Sequence, residues 1–129
     1  MFGRNAKSAI DSLVGVGARI EGNLHFCGGL RIDGQVCGCV IADPSKPSVL
    51  VLSEFGRIDG EVHCANLVVN GEITGLVISS ELLELQPKAR ILGDVQYKLL
   101  EMHGGALVTG QLTHVPAPEV VLHLQASGA

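Results

Sequence analysis

Five histidines, four cysteines and thirteen acidic residues are the groups of this chain that could do acid–base, nucleophilic or metal chemistry. His25 and His63 each stand three residues after a glycine of a recurring motif, a register that could stack imidazoles for a shared zinc ion. The matching residue between them is Ile41, and later matches are Ile78, Gln96 and Thr113, so no third histidine completes a ligand set. With His103, His114 and His123, they read as solvated surface histidines. Cys27, Cys37, Cys39 and Cys64 contain one Cys-x-Cys step and no second pair at zinc-ribbon spacing. They are expected to be reduced, mostly buried small thiols. Acidic pairs such as Asp59 and Glu61 flank a glycine on an outer face, where solvation is expected rather than proton transfer. The chain has no Gly-x-x-x-x-Gly-Lys-Ser/Thr loop, and Gly15-Val16-Gly17 is too short a nucleotide signal. No serine sits in a Gly-x-Ser-x-Gly elbow. We therefore expect no catalytic residue, no cofactor and no metal.

The elements that would have to position such groups are themselves unusual. The chain has 129 residues, 47% of them hydrophobic, enough for one domain with a core. Aromatics are only 3% with no Trp, so that core must be aliphatic. Gly occupies 17 positions, which argues against a helix bundle because interior Gly weakens helices. A net charge of −4 gives no basic bias toward nucleic acid. No apolar run is long enough for a membrane-spanning helix. Met1 to Lys7 lacks the apolar core of a secretory signal. A cytoplasmic location is expected.

One pattern recurs six times: aliphatic, any residue, Gly, any residue, aliphatic. Its glycines are 22, 38, 60, 75, 93 and 110, at spacings of 16, 22, 15, 18 and 17. Two residues before them stand Ile20, Val36, Ile58, Ile73, Ile91 and Val108. Two residues after stand Leu24, Val40, Val62, Val77, Val95 and Leu112. Four before stand Ala18, Gly34, Gly56, Gly71, Ala89 and Ala106, small residues that suit a crowded corner. Further upstream each unit has an apolar pair: Val14/Val16, Leu30/Ile32, Leu50/Leu52, Leu67/Val69, Leu83/Leu85 and Leu100/Met102. The long step holds residues 43–48, Asp-Pro-Ser-Lys-Pro-Ser, which read as an inserted surface loop.

Alternation of period two means strands with one buried face. Strands this short cannot make a core within one unit, but six coils can if each stacks on the last in parallel. We expect an all-β fold, a single-stranded three-sided parallel β-helix of about six windings. Two alternatives stand beside it. A β-sandwich of hairpins would show much more closely spaced turn signals, without the long register seen here. A hexapeptide-repeat helix, the scaffold of many acyltransferases, needs a six-residue beat, whereas the inward positions 58, 62, 67, 69, 73 and 77 show none.

Residues 13–114 resemble a bactofilin. The most specific stretches are Ile20-Glu21-Gly22-Asn23-Leu24, residues 28–34 (Gly-Gly-Leu-Arg-Ile-Asp-Gly), Leu67-Val68-Val69-Asn70-Gly71 and residues 89–95 (Ala-Arg-Ile-Leu-Gly-Asp-Val). The resemblance implies a right-handed β-helix with short flexible termini, here 1–12 and 115–129. It further implies a bacterial cytoskeletal protein that polymerises without nucleotide into non-polar filaments, through head-to-head and tail-to-tail contacts. Scaffolding of cell shape, cell-wall synthesis or polarity at the inner face of the cytoplasmic membrane is implied too, with cell-wall enzymes or polarity proteins as partners. The alternative class is a β-helical enzyme of the hexapeptide-transferase or carbonic-anhydrase type.

A β-helix leaves unpaired backbone and an apolar cross-section at each end, and such edges template further pairing. The expected self-assembly residues are Val14, Val16, Ile20 and Leu24 at one end, and Leu100, Met102, Val108 and Leu112 at the other. Residues 119–124 (Glu-Val-Val-Leu-His-Leu) could instead cover the C-terminal end, although Pro116 and Pro118 suit a flexible exit. The segment 1–12 is a candidate membrane-contact peptide, with Met1 and Phe2 entering the bilayer and Arg4 and Lys7 near anionic headgroups. The basic set Arg57, Lys88 and Arg90 reads as a solvated surface.

Overall fold

The computed structural model describes residues 10–115. Those residues form sixteen strands and no helix. The chain winds through six coils, and every coil lays one strand on each of three faces. The first face holds β1 (Ser12–Val14), β4 (Gly28–Ile32), β7 (Ser48–Leu52), the ends of β9 (Val62–Val69) and β11 (Val77–Leu85), and β14 (Leu99–Met102). The second holds β2 (Arg19–Glu21), β5 (Gln35–Cys37), β8 (Arg57–Asp59), β10 (Glu72–Thr74), β12 (Arg90–Leu92) and β15 (Leu107–Thr109). The third holds β3 (Leu24–Phe26), β6 (Val40–Ala42), the starts of β9 and β11, β13 (Val95–Tyr97) and β16 (Leu112–His114). Every pairing is parallel and joins neighbouring coils, as in a β-solenoid.

The motif aliphatics stack as expected. Ile20, Val36, Ile58, Ile73, Ile91 and Val108 follow one another in register down the second face. Leu24, Val40, Val62, Val77, Val95 and Leu112 do the same on the third. The four middle members of both columns are fully buried. Period-two alternation turns them all inward, and the parallel ladder sets each against its equivalent one coil away.

The coil length varies at the corner between the first and second faces. In coils 1, 3, 5 and 6 a three-residue corner closes on a turn, with the amides of Ala18, Gly56, Ala89 and Ala106 donating to the carbonyls of Gly15, Ser53, Gln86 and His103. In coils 2 and 4 only Asp33 or Asn70 stands there. Steps of 15 and 17 differ by these two residues. The variable corner also corrects the expected Val14/Val16 pair. Val14 stacks on Ile32 and Ser12 on Leu30, so the pair is Ser12/Val14. Val16 lies in the long corner and is 69% exposed. The inserted loop is likewise shorter than expected: Ser48 is the first residue of β7 and is buried, leaving 43–47 as the loop. Asp43 opens that loop by accepting hydrogen bonds from the Ser45 amide at 2.9 Å and from the Ser45 hydroxyl at 2.7 Å. Such a local bond mimics a backbone turn.

At the bend between the second and third faces the six motif glycines have φ between +121° and +153°. A Cβ on Gly38, Gly60, Gly75, Gly93 or Gly110 would also meet the carbonyl oxygen of the motif glycine one coil earlier. Glycine is required twice over, by its backbone angle and by the close approach of stacked coils. The ladder continues through the bend, with the Gly38, Gly60 and Gly75 amides donating to carbonyls of the next coil at 2.8–2.9 Å.

Candidate functional site

The two ends of the solenoid are where the same side-chain registers meet different surroundings. In coil 1, β1, β2 and β3 pair only with coil 2; in coil 6, β14, β15 and β16 pair only with coil 5. Among the described residues no strand pairs with the outer edge of either coil. Among the described residues, backbone amides and carbonyls along these edges are therefore free to pair with a further strand.

The apolar cross-section opens at both ends as well. Ile20 and Leu24 are half-buried, whereas their column mates Val36 and Val40 are at 0% exposure. At the other end Leu100 and Val108 are half-buried, while Met102 and Leu112 are 46% and 42% exposed. Of the N-terminal set, Val14 is buried and Val16 points away in its corner, so coil 1 brings Val14, Ile20 and Leu24 together. In coil 6, Leu100 and Val108 pack against the core, and Met102 and Leu112 stand in register with Leu85 and Val95 but remain exposed. A copy stacked on either end would remove these side chains from water, each CH₂ contributing about 0.8 kcal/mol.

A further inward column was not visible in the motif. It runs Phe26, Ala42, Cys64, Ser79, Tyr97 and His114, with Phe26 in register with Ala42, Cys64 with Ser79 and Tyr97 with His114. Its middle is small and its ends are large. Phe26 and Tyr97 pack against the core, and the Tyr97 and His114 rings lie 5.7 Å apart. Phe26 and Tyr97 thus add aromatic area near both ends. Their chemical variety hid them from a search for repeated aliphatics.

The polar groups behave as surface and corner fittings. Of the cysteines only Cys64 is buried; Cys37 and Cys39 are half-buried and Cys27 is exposed, which corrects the expectation of mostly buried thiols. The outward turn of residues flanking Gly38 explains the difference. Burial pushes the Cys64 thiol above its ordinary range, partly offset by its hydrogen bonds to Ser48 and Asn66. Asp33 is held below the usual carboxylate range, chiefly by the Ser53 hydroxyl and also by Arg31. His25, His103 and His114 are exposed and His63 is half-exposed, while His123 lies outside the described residues. His25 and His63 do share a column, with Ile41 between them.

Glu84, Glu101 and His103 place their ligand atoms within 4.8 Å of one another. Glu84 and Glu101 are ladder neighbours, and His103 Nε2 lies 3.1 Å from Glu84. Arg57, Lys88 and Arg90 line a notch of about 540 Å³ between the long corners of coils 3 and 5. Lys88 pairs with Glu54 at 2.7 Å, and Glu72 stands in register between the two arginines, so the notch is mixed in charge. Met1, Phe2, Arg4 and Lys7, and the stretch 116–129 with its candidate covering strand, lie outside the described residues. No helix among the described residues is long and apolar enough to cross a membrane.

Comparison with known proteins bears on this arrangement. A family model described as "Bactofilin: Polymer-forming cytoskeletal" matches residues 12–113. Bactofilin BacO of Myxococcus xanthus (strain DK1622) is 23% identical over 111 residues, covering 86% of this chain and 85% of that protein. The solved structure of Thermus thermophilus bactofilin in double helical filaments superposes with a TM-score of 0.69 at 24% identity, covering 82% of this chain and 99% of that one.

Proposed function

We propose, from the premise that this chain belongs to the bactofilin family of polymer-forming cytoskeletal proteins, that its filaments grow by stacking solenoid ends. The contacts are head-to-head and tail-to-tail, each a two-fold interface in which one surface meets itself. One observation carries this reading: side chains at 0% exposure in the middle coils have equivalents in coils 1 and 6 that stand partly open, beside strand edges that no other described strand pairs with. Stacking continues both the ladder and the core without nucleotide, because nothing in the contact requires phosphate chemistry. Six coils at about 4.8 Å each give an axial rise of roughly 29 Å per subunit. The Thermus thermophilus chain of this fold forms double helical filaments, and we carry the paired strand to this protein too.

Purified protein in nucleotide-free buffer is expected to form filaments visible by negative-stain electron microscopy, with length rising with concentration. A discrete oligomer at every concentration would overturn the reading.

The polymer serves as a scaffold at the inner face of the cytoplasmic membrane, in cell shape, cell-wall synthesis or polarity. Met1 and Phe2 followed by Arg4 and Lys7 suit a weak bilayer contact. Each buried apolar side chain contributes about 1.5–3 kcal/mol. A filament presenting many copies turns weak contacts into firm attachment. Deletion of residues 1–7 is expected to abolish co-sedimentation with anionic liposomes while filaments persist. Undiminished sedimentation of the deleted protein would remove the membrane peptide from the scheme.

A further inference from the structure

The outward side chains of the first face form two columns. One runs Gly29, Val49, Asn66, Leu82 and Leu99; the other runs Leu13, Arg31, Val51, Val68, Glu84 and Glu101. Val49, Val51, Val68 and Leu82 are partly open to solvent, and Leu99 is 58% exposed. Apart from Asn66, the middle of this face is thus apolar on both sides. The second face differs, since its outward positions include Arg57, Asp59, Glu72 and Arg90. A parallel sheet that is apolar on both sides ordinarily carries a cover on each.

The charges on the strip are segregated. Arg31 stands on coil 2, and Glu84 and Glu101 stand on coils 5 and 6. Adjacent carboxylates in a ladder repel, so this end favours an incoming cation. The Arg31 guanidinium meets Asp33 only through its Nε, at 2.9 and 3.1 Å.

We propose that the first faces of two copies, antiparallel and in neighbouring strands of a paired filament, meet across this strip. The inference rests on the filament reading above and locates its lateral contact. A two-fold axis along the strand direction sets coil 2 against coil 5 and coil 3 against coil 4. Arg31 of one copy then faces Glu84 of the other, and Val51 faces Val68. A parallel pairing would set both Glu84 against Leu82 and Glu101 against Leu99, whereas the antiparallel one gives Glu84 a cation and leaves only Glu101, at the rim, against an apolar group, Leu13. A non-polar filament offers both subunit orientations, so antiparallel pairs can recur along it. The strip is small beside the roughly 800 Å² per partner of a standard interface, so separate subunits do not pair. A filament repeats the contact and pairs through the sum.

The test is a charge exchange read by negative-stain microscopy and filament width. Wild-type filaments are expected to be paired. Arg31→Glu and Glu84→Arg are each expected to cut the paired fraction at least tenfold while single filaments persist, and the double variant restores pairing. Rescue by a second substitution also separates a lost contact from a misfolded chain. Unchanged pairing in Glu84→Arg, or a double variant that stays single, would overturn the proposal. So would single wild-type filaments whose strip is shielded from an apolar dye in unassembled protein, since residues 116–129 would then be the cover. Pairing that is lost on chelation and regained with zinc would place a metal at Glu84, Glu101 and His103 and overturn it too. Wild-type protein that forms no filament at all would instead remove the end-to-end reading itself, and the lateral contact with it.

Discussion

Val108→Arg is expected to give a folded, soluble protein that makes no filaments. Val108 ends the column that begins at Ile20, and no coil of the described chain lies beyond it. In a separate subunit an arginine there can extend its charged head into water while its stem lies over the last rung. A second copy stacked on coil 6 would take that water away. The cation would then sit between apolar rungs without a partner, at a cost of about 3–5 kcal/mol. Each 1.4 kcal/mol is tenfold in affinity, so the critical concentration rises by at least about a hundredfold. In a tail-to-tail contact the two introduced cations also face each other, which adds to the effect. Sedimentation checks this: wild-type protein pellets and the variant stays in the supernatant. The N-terminal ends remain intact, so the largest variant species is a dimer joined there. Ile91→Arg makes the contrast, because Ile91 occupies the same column one coil inward at 1% exposure. That change is expected to unfold the chain by circular dichroism, whereas Val108→Arg keeps the wild-type spectrum. Filaments of Val108→Arg at the wild-type concentration would exclude coil 6 from the junction.

The solenoid was legible because its cause is periodic. Each coil must place an aliphatic on either side of the bend, so Ile20 through Val108 and Leu24 through Leu112 repeat in the sequence as they stack in space. What the sequence hid is what the repeat does not constrain. Val16 passed for a core residue because the corner lengthens from one residue to three, which shifts any count backward from Ala18. Phe26 and Tyr97 escaped because their column passes through Ala42, Cys64 and Ser79 and so shows no repeated aliphatic. That Leu100, Met102, Val108 and Leu112 stand in the last described coil was legible, since each completes an aliphatic register of the repeat. The first-face strip had a local signal, the unbroken run Val49-Leu50-Val51-Leu52, which does not alternate as a face turned to water should. The charge pattern on it emerges only when ladder neighbours from successive coils, such as Glu84 and Glu101, are set side by side.

Gly60→Ala and Gly22→Ala are the same substitution at the same motif position, and Gly60→Ala is expected to cost markedly more. Both glycines have φ in the positive region, near the two extremes of the motif set. Both changes therefore strain the backbone, by about 1–3 kcal/mol. Of the two, only Gly60 has a described coil before it. An added Cβ there would press on the Gly38 carbonyl and lie 3.1 Å from the Cys39 amide nitrogen, whereas at Gly22 nothing lies within 4 Å. The obstacle at Gly60 is ladder backbone, which cannot step aside without breaking the hydrogen bond from Gly38 to Asp59. Overpacking of this kind adds about 1–3 kcal/mol, so Gly60→Ala should lose about 2–6 kcal/mol in all. Urea unfolding of both variants in the Val108→Arg background, at concentrations too low for assembly, measures the difference. Equal losses would mean that backbone angle alone keeps glycine in the motif. Unequal losses mean that the interior glycines are there for the coil before them. In a head-to-head junction the neighbour's coil 1 approaches Gly22, so Gly22→Ala in the wild-type background should then weaken filaments more than it weakens the fold.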